Sequence, residues 1–79
     1  MKSTMATDRG RVHQQLAQAA RCADEAQEPI NRQRTRVQML RQYGYDTKVA
    51  EQELTQLVHL QTLHKEDRDR LKGELANIG

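Results

Sequence analysis

Apolar residues recur along most of this chain at alternating steps of four and three, and the repeat is interrupted once, at Gly44. The first run is Val12, Leu16, Ala19, Ala23, Ala26, Ile30, Gln33, Val37 and Leu40, in which Gln33 alone is polar. The second is Ala50, Leu54, Leu57, Gln61, His64, Arg68, Leu71, Leu75 and Ile78. Steps that average 3.5 residues return to one side of an α-helix, so each run predicts a helix with a single apolar seam, as in a coiled coil.

Gly44 is the residue best able to take the left-handed conformation that follows a helix end. Asp46 or Thr47 can then cap the next helix by accepting from its unpaired amides. So short a connection turns the second helix back along the first. Helix 1 is expected over about residues 8–43 and helix 2 over about 46–78. Each arm is then roughly 50 Å long at 1.5 Å per residue. The predicted fold is all-α: two long antiparallel helices in a coiled-coil-like hairpin, turning at Gly44 to Asp46. Residues 1–7 (MKSTMAT) lack periodicity and read as a flexible tail, with Thr7 or Asp8 capping helix 1. Pro29 removes a donor inside the first run, but the spacing resumes unchanged at Ile30, which points to a kinked continuous helix.

Facing the two runs across the turn suggests layers. Leu40 meets Leu54, Val37 meets Leu57, Gln33 meets Gln61, Ile30 meets His64, and Ala26 meets Arg68. Ala23 then meets Leu71, Ala19 meets Leu75, and Leu16 meets Ile78. Small faces large toward the open end. The polar group Gln33, Gln61, His64 and Arg68 reads as a register device, since polar seam residues fix alignment at some cost in stability; the alternative is a functional polar site near Pro29. Arg68 can reach for Asp24 or Glu28 on the other arm.

With 79 residues there is room for one small unit, and a single-layer hairpin buries only a modest part of its surface, so self-association or a partner is expected. No Phe or Trp is present and charged residues make up 30%, which suits solvent-washed helices better than a globular core. The net charge of +2 is too small to imply nucleic acid by itself. A lone cysteine, Cys22, cannot form an internal disulfide, and no apolar run suits a signal peptide or membrane span, so a bacterial-type cytoplasmic protein is expected.

Nothing in the sequence carries catalysis. There is no glycine-rich phosphate loop and no nucleophile, base and orienting triad. His59 and His64 are five apart, which does not place two ligands on one helical face, so no metal or cofactor is expected. Cys22, beside Ala23 of the seam, reads as a packing residue.

Two surface features remain. Arg32, Arg34, Arg36 and Arg41 concentrate positive charge in the second half of helix 1 and allow an alternative reading as a small nucleic-acid accessory protein. Those four do not share one face, however, and Glu51 and Glu53 stand on the facing arm. The stretch LTQLVHLQTL, residues 54–63, widens the apolar surface: Val58, Leu60 and Leu63 join Leu54 and Leu57, with Met39 and Val49 as possible neighbours. One partner helix cannot cover all of these. The expectation is a non-catalytic protein–protein interaction module, a homodimer in which two hairpins form a four-helix bundle, or else the docking site of another helical protein.

A resemblance covers residues 30–75. It lies in Gln33-Arg34, Val37, Leu40, Gly44-Tyr45-Asp46-Thr47, Ala50-Glu51, Leu54, Leu57, Leu63-His64 and Asp67-Arg68-Asp69-Arg70-Leu71. In these the chain resembles a group of short, uncharacterised proteobacterial helical-hairpin proteins known only as hypothetical proteins. The resemblance implies a helical hairpin and brings no activity, substrate or cofactor. Pro29 departs from that group's pattern.

Overall fold

The computed structural model describes residues 2–78, with side chains described from residue 8 onward. It contains three helices, α1 (Lys2–Glu25), α2 (Gln27–Gln42) and α3 (Lys48–Ile78), and no strand among the described residues. The helices are bent and pack in the manner of a bundle, with α1 and α2 both against α3. Every seam residue named from the 4-3 spacing is buried or half-buried, and none is exposed. The rod they form has Cα extents of 64 × 14 × 14 Å.

The division between α1 and α2 follows from Pro29. Lacking an N–H, it cannot donate to the carbonyl of Glu25, and its ring crowds that turn. The next rung is stretched, with Ile30 N–H reaching the carbonyl of Ala26 at 3.4 Å, whereas Ala26 N–H meets Cys22 at 3.0 Å. Ala26 keeps right-handed helical dihedrals (φ −67°, ψ −17°), so the chain bends there without turning away. The apolar spacing survives because no residue is inserted.

At the amino end α1 begins at Lys2 rather than near residue 8. The expected tail covers residues 1–7, of which Met1 and the side chains of residues 1–7 lie outside the described residues. Neither Gly nor Pro occurs between Lys2 and Asp8 to end a helix, and a capping residue is a preference, not a barrier. The Asp8 carboxylate instead accepts from Arg11 at 2.7 Å.

The turn is built as its residues require. Gly44 N–H bonds to the carbonyl of Arg41 (3.1 Å) and Tyr45 N–H to that of Leu40 (2.9 Å), the paired bonds of a Schellman motif. Gly44 has φ +78°, the left-handed conformation that motif demands. Asp46 then accepts from Lys48 N–H at 3.0 Å and opens α3. Gly44→Ala is expected to cost about 1 kcal/mol through the backbone alone, because nothing within 4 Å would obstruct the added methyl. A thermal melt followed by circular dichroism would read this as a fall of several degrees, and an unchanged midpoint would contradict it.

The packing between helices corrects the expected register. Gln33 meets neither Gln61 nor its layer: it donates to the carbonyl of Ala50 (2.9 Å) and to Glu53 (3.1 Å). Gln61 donates to the carbonyl of Ala23 (3.2 Å) and to Gln27 (2.9 Å). Farther along, Val12, Ala19 and Leu71 form a buried cluster with Leu16, Leu75 and Ile78 packed on it. The facing positions are displaced by about one layer, so that Leu40 stands beside Ala50 and not Leu54. The tight Gly44 to Asp46 connection is the reason. It leaves Ala50 close to the end of α2, and the small side chain is buried there.

Candidate functional site

Among the described residues, the large apolar side chains that stand exposed, Met39, Tyr43, Tyr45, Val49, Leu60 and Leu63, belong to one side of the rod or to the turn at its end. Near the turn Arg32, Met39, Tyr43 and Tyr45 line a shallow groove on α2, and Leu40, Tyr45, Val49, Ala50 and Glu53 line its neighbour between α2 and α3. Arg36 borders both grooves. At the far end Gln15, Gln18, Cys22, His64, Asp67 and Arg70 border a third, more polar groove.

These grooves share a side because their borders are continuous helical rows. Val49, Glu53, Gln56, Leu60, Leu63, Asp67 and Arg70 follow 4-3 spacing along α3. Gln15, Gln18, Cys22, Glu25, Pro29, Arg32, Arg36, Met39 and Tyr43 do the same along α1 and α2. Each row lies one step from the buried seam. The opposite side carries the Arg41–Glu51 ion pair at 2.6 Å.

This arrangement divides the expected surface Leu54, Leu57, Val58, Leu60 and Leu63. Leu54 and Leu57 are half-buried and belong to the seam; Leu60 (49% exposed) and Leu63 (47%) remain open on the grooved side. Val58, half-buried, stands seven residues from Glu51 and so on the other side. Tyr43 and Tyr45 are part of the same exposed surface as Met39 and Val49. Tyr43 ends the second 4-3 row of α1 and α2, and Tyr45 lies in the turn beside it.

Gln61 is the most buried of the four polar seam residues and its amide nitrogen donates twice across the helices, with no buried side-chain polar atom left unpartnered among the described residues. Gln61→Leu is expected to raise the melting midpoint by a few degrees while loosening alignment, since an amide in a seam costs stability and confers register. A lower midpoint in that variant would mean the amide's bonds outweigh its desolvation. His64 and Arg68 are half-buried; Arg68 bonds Asp69 at 3.1 Å and makes no bond to Asp24 or Glu28. Arg70 is gripped by Asp67 and, at 2.9 Å, by Glu74. The hydrogen bond and charge of Asp67 come first in raising the Arg70 pKa, with Glu74 adding to them.

The four arginines of the basic segment are dispersed. Arg32 bonds Glu28 at 2.9 Å and Arg41 bonds Glu51, while Arg32 and Arg36 line the grooved side and Arg41 the opposite one. No group of three or more potential metal ligands gathers among the described residues, and none of their helices is long and apolar enough to cross a membrane. Cys22 is a free, half-buried thiol. Compared with protein-family models, curated proteins and solved structures, the chain matches none.

Proposed function

We propose that this chain is a non-catalytic helical interaction module, an antiparallel coiled-coil hairpin that pairs with a second copy through its grooved side to make a four-helix bundle. One observation carries the reading: among the described residues the exposed large apolar side chains gather on one side and the adjoining turn instead of scattering singly, as they do on ordinary surfaces. The hairpin is supported by bonds that join late α2 to early α3 and late α1 to mid α3, from Arg41–Glu51 through Gln33–Ala50 to Gln61–Ala23. A rod 14 Å thick has little interior of its own, and association supplies the missing layer. The single cysteine suits a reducing, cytoplasmic setting.

Light scattering across a concentration series, with circular dichroism on the same samples, tests this. A strongly helical species of twice the chain mass is expected. A helical monomer at all concentrations would overturn self-association and leave the grooved side for a different helical protein.

A further inference from the structure

The geometry points to one orientation for that pairing: the second copy lies with its turn at the same end, so that α2 of each chain packs on α3 of the other. This rests on the self-association proposed above and adds the direction and the facing residues.

The argument starts from which residues are level with one another in a single chain. Arg36 and Glu53 border one groove, and Cys22 and Asp67 another, so a constant register runs along the grooved side. In that register Tyr43 is level with Tyr45, Met39 with Val49, and Pro29 with Leu60. A two-fold axis along the rod preserves level and sets each row of one chain against the opposite row of its copy. Met39 then meets Val49 of the second copy, Pro29 meets Leu60, and Tyr43 meets Tyr45. Arg36, which has no ion pair within the chain among the described residues, meets Glu53. Four helices at that level carry charges that alternate in sign around the square.

The reverse orientation does worse on both counts. A two-fold axis across the rod sets α2 against α2 and α3 against α3. Centred near Arg36, it opposes arginine to arginine and Glu53 to Glu53, and like charges brought together at an interface repel and disfavour it. Centred at mid-rod, it pairs Leu60 with Leu63 but turns Met39 onto Gln15, Val49 onto Glu74 and Tyr45 onto Asn77. Area agrees with the first arrangement. A full-length face of 64 by 14 Å offers on the order of 900 Å², close to the ~800 Å² per partner of a stable interface.

The test uses the full chain with Cys22→Ala and Gln42→Cys, which places a spin label on an exposed position at the end of α2, away from the grooved side. Dipolar spectroscopy on a sample shown by light scattering to be dimeric should give an interspin distance well under half the 64 Å length of the rod. A dimer with label separations comparable to that length would overturn the orientation while leaving self-association standing. A monomer with unchanged helicity would overturn both. A second measurement fixes the face: Arg36→Glu alone should weaken dimerisation by at least about tenfold, and mixing it with Glu53→Arg should restore a heterodimer. No loss in Arg36→Glu would remove the proposed contact.

Discussion

Replacing Leu60 and Leu63 together by Lys is expected to turn the proposed dimer into a monomer while leaving much of its helix content. Each leucine is about half exposed in the single chain, so association still has roughly 1 kcal/mol of apolar burial to gain from each. Two chains contribute four such side chains, and losing them costs about 4 kcal/mol, or on the order of a thousandfold in the dissociation constant. The lysines add ammonium groups that must be desolvated if the surface is still to close. Neither residue is buried within the chain, so the fold of a single copy keeps its own seam. Light scattering and circular dichroism on the double variant decide the matter. Unchanged mass and helicity would show that these leucines are not at the contact.

Ile30→Ala is expected to have the opposite character, with a large loss of stability originating inside one chain. Ile30 is 1% exposed and is the largest side chain fully enclosed. Its truncation removes apolar burial and leaves a cavity beside the bend, where Pro29 has already removed one helical hydrogen bond. A cost of about 3 kcal/mol corresponds to a fall of roughly 10–20 °C in the melting midpoint of a domain this small. Leu63→Ala, by contrast, should barely alter the melt of a dilute sample in which dimers have dissociated. If the two variants melt alike under that condition, the enclosed position of Ile30 is wrong.

The contrast between those two residues shows why the seam was legible in the sequence and the outer face was not. Helical period is a local property, and the 4-3 spacing of Val12 to Leu40 and of Ala50 to Ile78 identifies the buried side whatever the helices pack against. Glycine at the turn was equally legible, because the left-handed conformation is a demand on one residue. Which layer faces which is a different kind of fact. It depends on how many residues the connection consumes, and the Schellman turn and Asp46 cap left Ala50, omitted from the expected layers, opposite Leu40.

The same displacement explains why Gln33 and Gln61, expected to meet, each found a backbone carbonyl on the facing helix. The sequence reads Leu54, Leu57, Val58, Leu60 and Leu63 as one apolar surface wider than a single partner helix covers, yet a helix advances 100° per residue and distributes them over three sides.

By itself, then, the sequence determined that this chain is helical, where it turns, where it bends and which stripe of each helix is buried. Each of these follows from residues within a few positions of one another. Only the tertiary structure decided the register and brought Met39, Tyr43, Tyr45, Val49, Leu60 and Leu63 to a common exposed surface. The reason is physical: rotation about a helix axis is set locally, whereas sliding along it is set by the loop that joins the helices and by the side chains that fit between them.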